Sequence, residues 1–171
     1  RLAQVERHRK VKAVGLVGPL FLFIVLAFAV PILMLLHEAA YDPSINRNLP
    51  NTVAALDSWD GQDLPDEAAF AALVGDLKLA QQNKTTALIG KRLNYEISGI
   101  RSKIIATGRK VEDLASGPYK QALIDIDRIW GERETWAVIK RSGSVYTPYY
   151  LLAALDMEQP ADGDIVSVPP S

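Results

Sequence analysis

The sequence predicts an all-α protein with one N-terminal transmembrane helix followed by an extracytoplasmic helical domain. Two observations carry this prediction. Residues 13–36 contain no charged and no strongly polar side chain, and most of the later chain has apolar residues at helical spacing. The chain of 171 residues has no cysteine and a formal charge of −1. A disulfide framework, a thiolate metal site and a globally basic nucleic-acid-binding protein are therefore excluded.

The first element is the apolar stretch of residues 13–36, which we predict to be the transmembrane helix. At about 1.5 Å per residue it would extend roughly 36 Å, more than the bilayer core of about 30 Å. A buried core helix is one alternative, although helices of globular proteins average only about 11–12 residues. A cleaved signal peptide is another, but its apolar region is normally about 7–15 residues long and ends in a small-residue cleavage site. The greater length favours an uncleaved anchor, which Pro19 and Pro31 are expected to kink.

The residues before the apolar stretch predict its orientation. Residues 1–12 contain five basic residues against Glu6 alone, and the rest of the chain is net acidic. Short basic flanks remain in the cytoplasm, so we expect residues 1–12 to form a cytoplasmic tail and residues 37–171 to lie outside. Tyr41 comes just after the apolar stretch, where we expect the lipid headgroup layer. The amphipathic ring of tyrosine suits that layer. Nucleic-acid binding by the basic tail is the alternative, and we expect no such partner because the adjoining span already explains the charge.

Residues 37–171 are expected to form helices with few strands. The segment 63–67 is a strong helix start, with Pro65 predicted in the first turn and acidic residues suited to the helix dipole. Further helices are predicted over residues 86–93, from 99 or 100 to about 114, over 119–130, over 132–140 and over 149–155. Residues 165–168 are the only alternating, strand-like segment. Positions predicted to face the core are Phe70, Leu73, Val74, Leu77, Ile100, Ile104, Ile105, Leu123, Ile126, Ile129, Trp130, Trp136 and Ile139.

The sequence predicts no catalytic, cofactor-binding or metal site, and hence a protein that is not an enzyme. The histidines, His8 and His37, flank the apolar stretch and have no metal-ligand spacing. Gly90 and Lys91 only partly match a phosphate-binding loop. The acidic pairs 125/127 and 162/164 lack the loop of a calcium site and are interpreted as solvated. Two aromatic pairs fit a core better than a ligand surface, namely Trp130 with Trp136 and Tyr149 with Tyr150.

Several short motifs carry a resemblance to a known family. After the basic tail and apolar stretch these are Tyr41-Asp42-Pro43, the segments 48–52, 59–61 and 64–70, Arg92-Leu93-Asn94-Tyr95-Glu96, and the segments 99–102 and 147–152. Together they make the chain similar to the N-terminal part of a bacterial ABC-transporter permease of the spermidine/putrescine type. The chain departs from that pattern because it has one span and no cytoplasmic E-A-A loop, so no transport residue is carried over.

The resemblance implies a non-catalytic membrane component of an ABC-type importer for polyamines or a related small solute. It places the protein in the bacterial inner membrane, with residues 37–171 in the periplasm and a second span expected to follow. The implied partners are the lipid bilayer, an ATPase subunit, a second permease subunit and a periplasmic solute-binding protein that the domain helps to dock. The alternative is the extracytoplasmic sensor domain of a membrane signalling receptor. A membrane-anchored enzyme is disfavoured because no nucleophile and base can be grouped.

Overall fold

A computed structural model describes residue 15, residues 17–146, and residues 152, 155, 157, 158, 166 and 167. The chain divides into two compact units, Arg1–Ala39 and Ala40–Ser171. Secondary structure is mostly helical, which confirms the predicted all-α class. The predicted helix over residues 149–155 lies largely outside the described residues.

The first unit contains an apolar helix, Val17–Glu38, with a mean hydropathy of 2.8 over its most apolar window. None of that window is buried within the protein, and Leu35 is 71% exposed. A core helix would be covered by neighbouring side chains, so this exposure favours the membrane-spanning prediction over the core-helix alternative. By length and composition the helix is able to cross a membrane.

A π-helical segment, Val25–Ala29, interrupts this helix before it continues as α1, Val30–Ala40. The Val30 N–H donates to the carbonyl of Val25, five residues earlier. Pro31 follows directly, and proline has no N–H to donate while its ring crowds the carbonyl four residues before it. The wider turn relieves this conflict, so the disturbance predicted at Pro31 takes the form of a π segment.

The described part of the second unit contains seven further α-helices. They are α2 (Ser44–Asn48), α3 (Pro50–Leu56), α4 (Glu67–Gln82), α5 (Thr86–Leu93), α6 (Ile100–Lys110), α7 (Tyr119–Ile126) and α8 (Arg133–Ser142). Single 3₁₀ turns occupy Val111–Asp113 and Arg128–Gly131. Strand β1 (Met157–Glu158) pairs antiparallel with β2 (Val166–Ser167), which falls in the segment predicted to be strand-like.

Helix α4 begins at Glu67, at the end of the segment 63–67 that was predicted as its start. Asp66 is the N-cap, and its Oδ1 accepts a hydrogen bond from the Ala69 N–H at 3.1 Å. Pro65 therefore precedes the cap, and its predicted place in the first turn is wrong. An aspartate cap satisfies an N–H that a proline could not. The predicted inner face of α4 is confirmed, since Phe70, Leu73, Val74 and Leu77 are all buried.

The single helix predicted over residues 119–130 is wrong, because it breaks at Asp127. That residue has an extended backbone, φ −156° and ψ 132°, and its Oδ1 accepts from the Ile129 N–H at 3.1 Å. Aspartate favours such local bonds over helix continuation. The helix predicted to end near Leu114 likewise stops at Lys110, with the 3₁₀ turn Val111–Asp113 after it.

Three aromatic rings form the centre of the core. The Phe70 and Trp136 ring centroids are 4.4 Å apart, and Trp130 packs edge-on against Trp136 at 5.9 Å. The indole N–H of Trp130 donates to Thr107 Oγ1, and that of Trp136 donates to the Trp130 carbonyl. Both tryptophans are fully buried, so the core interpretation is confirmed and the ligand-surface alternative is wrong for this pair. Tyr149 and Tyr150 lie outside the described residues.

The buried carboxylate of Asp76 links α3 to α4 through hydrogen bonds. Asp76 is 0% exposed and accepts hydrogen bonds from Asn51 Nδ2, the Thr52 backbone N–H and Thr52 Oγ1 at 2.7–2.8 Å. The N-cap residue of α3 is Leu49, whose side chain makes no capping bond. Asp76 therefore supplies from another helix the acceptor that the first turn of α3 requires.

Candidate functional site

Two segments of the second unit meet at one place, which we call the neck and define as residues 41–46 together with residues 143–146. Tyr41 and Tyr146 form an isolated antiparallel β-bridge. The Asp42 N–H donates to the Val145 carbonyl at 2.9 Å, and Asn46 Nδ2 donates to the Gly143 carbonyl at 3.1 Å. The chain thus returns, after about a hundred residues, to within hydrogen-bond distance of its entry point.

The tyrosines at the neck also meet through their side chains. The two rings lie edge to face, with centroids 5.8 Å apart and planes at 63°. Tyr146 is 60% exposed, although its backbone is held by Ser144: the Tyr146 N–H donates to Ser144 Oγ, and Ser144 Oγ donates to the Tyr146 carbonyl. The neck therefore holds an aromatic pair in which Tyr146 is exposed and Tyr41 is half-buried.

A network of ion pairs joins the neck to two helices. Arg92 of α5 lies 3.1 Å from Asp42 Oδ2 through Nε and 2.8 Å from Glu96 Oε1 through Nη1. Arg141 of α8 pairs with Glu96 Oε2 at 2.6 Å, and Ser142 Oγ donates to Glu96 Oε1. The Arg92 and Glu96 side chains are only 4% and 8% exposed. Each buried charge has an opposite partner, so the network fixes the neck without leaving an uncompensated charge.

Helices α5 and α6 pack closely as an antiparallel pair, which we call the basic hairpin (residues 84–110). A Cβ atom on Gly90 would lie 3.1 Å from the Arg101 carbonyl oxygen, and one on Gly108 would lie 2.8 Å from Thr86 Cγ2. Both glycines allow a helix–helix approach that a side chain would block. Gly90 is thus a packing residue inside α5, so the partial phosphate-loop match has no loop to support it.

The surface of the basic hairpin carries positive charge. Glu96 is the only acidic residue between Lys84 and Lys110, and its carboxylate is paired with Arg92 and Arg141. The exposed charged residues are Lys84, Lys91, Arg101, Arg109 and Lys110. Leu88 and Tyr95 on the same hairpin are 52% and 41% exposed. The basic hairpin therefore combines exposed positive charge with exposed leucine and tyrosine side chains.

The acidic residues considered for metal binding have structural roles where they are described. Asp127 caps the 3₁₀ turn and lies 3.5 Å from Lys103 Nζ, and Asp125 accepts from Gln121. Asp162 and Asp164 fall outside the described residues, as does His8. Among the described residues no three His, Asp or Glu side chains group to hold a metal ion.

Sequence reasoning missed the residues that build the neck. Arg92 and Glu96 have the i,i+4 spacing of a helical ion pair, which was a local signal for half of the network. Arg141 lies 45 residues from Glu96, and Tyr146 lies 105 residues from Tyr41, so their pairing depends on the tertiary fold. Asp76 carries no local sign that it is buried.

Comparison with protein-family models, curated proteins and solved structures finds no significant match. A functional assignment therefore depends on the geometry of the apolar helix, the neck and the basic hairpin, together with the motif resemblance.

Proposed function

We propose that this protein is a non-catalytic permease component of a bacterial ABC-type importer for a polyamine or related small solute. The apolar helix would cross the inner membrane with its N-terminus in the cytoplasm, and the helical domain would lie in the periplasm. The observation that carries the proposal is the neck, in which Tyr41 and Tyr146 pair across the helices that lie between them in sequence.

The neck supports this proposal through a simple geometric requirement. A domain inserted between two membrane spans leaves the bilayer and must come back to it, and a chain that returns near its entry point fits such an insertion. Tyr41 directly follows α1, and the bridge places residue 146 beside it.

The basic hairpin is the surface that we assign to docking of the solute-binding protein. Its exposed charges are all positive, whereas residues 57–67 carry five acidic residues and no basic one. Complementary charge raises the rate of encounter and fixes orientation. The docked protein would release its solute to the permease, and ATP hydrolysis on a separate cytoplasmic subunit would drive the change between outward- and inward-facing states.

Removal of the domain tests the proposal, and the neck makes a clean removal feasible. Residues 43–144 are replaced by a Gly-Ser linker of about four residues, which matches a short hairpin connection. Within the complete transporter we expect the variant to insert and to retain its ATPase subunit. Binding of the solute-binding protein and uptake of radiolabelled spermidine should fall to background. Normal uptake with normal binding would contradict the docking role.

Charge reversal localises the docking surface. Lys91→Glu combined with Arg109→Glu should weaken capture of the solute-binding protein, most strongly at low salt. The matched control is Arg128→Glu, whose side chain is 87% exposed on a different element. An equal loss of solute-binding-protein capture in both variants would refute the assignment of the basic hairpin as the docking surface. Absence of any ATPase subunit from the purified protein would favour the receptor alternative.

A further inference from the structure

One side of α4 is exposed to solvent but carries no charge. After its first residue, the exposed positions of this helix are Ala68, Gly75, Leu79 and Gln82. At 3.6 residues per turn they lie within about 60° of one another around the helix axis. The exposed side of a surface helix normally carries charged side chains, yet here Leu79 is 53% exposed. We call these four positions, with the half-buried Ala72, the α4 face.

The other polar residues in the body of α4 lie off this face. Asp76 is buried against α3, and the half-buried Lys78 donates through Nζ to a main-chain carbonyl at 3.2 Å. Gln81 points towards the basic hairpin, where its Oε1 accepts a hydrogen bond from Thr86 Oγ1 at 3.2 Å. Leu79 lies about 160° around the helix axis from Gln81. The α4 face is therefore a surface separate from the contact between α4 and the hairpin.

The spacing of the α4 face suits contact with another helix. Residues 68, 72, 75, 79 and 82 follow one another at intervals of four, three, four and three, which is the spacing of the inner positions in a pair of packed helices. Ala68, Ala72 and Gly75 are small, so a second helix axis is able to approach closely. Covering Leu79 would also remove apolar surface from water.

The charges at the two ends of α4 indicate which helix would fit. Residues 57–67, which lead into its first turn, contain five exposed acidic residues and no basic one. The other end is basic: exposed Lys84 follows directly, and exposed Lys110 ends the neighbouring α6. A Cβ on Gly108 would lie 3.4 Å from Gln81 Oε1, so the ends of α4 and α6 are adjacent. A helix with an acidic start and a basic end is complementary to an antiparallel copy of itself, and the helix dipoles favour the same arrangement.

We propose that two copies of this chain associate through the α4 face, with their α4 helices antiparallel about a two-fold axis at Gly75. In such an arrangement, residues equally far before and after Gly75 face each other. Ala68 and Gln82, each seven residues away, then meet, and so do Asp66 and Lys84, each nine residues away. The same register thus pairs the small inner residues and the opposite end charges. The proposal does not depend on the proposed transport function.

Single cysteines test this register, because the chain has none of its own. Ala68→Cys, Gly75→Cys and Gln82→Cys are made in the full chain and purified in detergent. The matched control is Ala106→Cys, at an exposed position of α6 in the basic hairpin. Samples are oxidised with copper phenanthroline, singly and after mixing variants of which one carries a larger tag. A disulfide requires Cα atoms about 4.4–6.8 Å apart, so it reports close approach.

We expect Gly75→Cys to form a disulfide-linked dimer with its own copy. Ala68→Cys and Gln82→Cys should cross-link to each other when mixed and little when each is alone, and Ala106→Cys should stay monomeric on a non-reducing gel. Cross-linking of Gly75→Cys no greater than that of Ala106→Cys would overturn the proposal. Preferential cross-linking of Ala68→Cys to itself would indicate parallel helices and would overturn it as well.

Sedimentation in detergent gives an independent measurement without cysteine. A Cβ on Gly75 meets no atom within 4 Å, so Gly75→Arg is compatible with the fold. Each introduced arginine would face its own copy across the axis, and like charges oppose association. The original chain and the control Ala106→Arg should sediment as dimers, and Gly75→Arg as a monomer. A monomeric original chain, or a dimer that survives Gly75→Arg, would contradict association through the α4 face and leave the docking role of the basic hairpin intact.

Discussion

Asp76 is the buried side chain on which the start of α3 depends. It makes three hydrogen bonds to residues 51 and 52, and no basic side chain is among those partners. A carboxylate without a cation is tolerated in a core when its oxygens are fully hydrogen-bonded. Nothing in the local sequence distinguishes Asp76 from a solvent-facing aspartate, so its burial could not be predicted.

Asp76→Ala should destabilise the domain by about 3 kcal/mol, because it leaves the Thr52 N–H and hydroxyl buried without an acceptor. The measurement is urea unfolding of the full chain in detergent, followed by tryptophan fluorescence. Asp125→Ala is the matched control on an exposed helix position and should change stability by less than about 0.5 kcal/mol. Equal effects of the two substitutions would show that Asp76 does not cap α3.

Glu96 is the residue shared by both arginines of the neck network. Glu96→Gln should cost about 3 kcal/mol, since it leaves Arg141 and Arg92 with reduced compensation in a buried setting. Glu134→Gln, which removes a half-exposed partner of Arg141, should cost less than about 1 kcal/mol. Thermal unfolding of both variants gives the comparison. A cost for Glu96→Gln as small as that of Glu134→Gln would refute a structural network.

At the scale of elements, helices with strong periodicity were predictable and their ends were less so. The 86–93 helix agrees with α5, and the inner face of α4 is confirmed residue by residue. The short α2 was missed because five residues give too little periodicity. The break at Asp127 was missed because its side chain competes with the helix only once the following turn folds.

Alanine substitutions at two glycines inside helices are expected to change the stability of the protein in opposite directions. A Cβ on Gly75 of α4 meets no atom within 4 Å, so Gly75→Ala should stabilise the protein by about 0.5–1 kcal/mol through helix propensity. A Cβ on Gly108 of α6 would lie 2.8 Å from buried Thr86. Gly108→Ala should therefore destabilise by about 1–3 kcal/mol.

Unfolding midpoints of the two glycine variants in the same detergent provide the test. A shift in the same direction for both would mean that helix propensity alone governs these positions, and that α5 and α6 do not approach each other as closely as the structure describes.

At the scale of the whole molecule, the sequence predicted one apolar helix and a helical domain, and both are present. It could not predict the closed neck, because the bridge joins residues 105 positions apart and needs the intervening helices to fold first. Orientation, partners and substrate follow from charge, motif resemblance and neck geometry together, and they stay predictions.

Membrane topology is the measurement that tests the central claim most directly. Single-cysteine variants Ala3→Cys and Lys110→Cys are treated, in intact cells and after lysis, with a membrane-impermeant maleimide. The account predicts that residue 110 is labelled in intact cells and residue 3 only after lysis. Labelling of residue 3 but not residue 110 in intact cells, or release of the protein from membranes by alkaline carbonate, would contradict it.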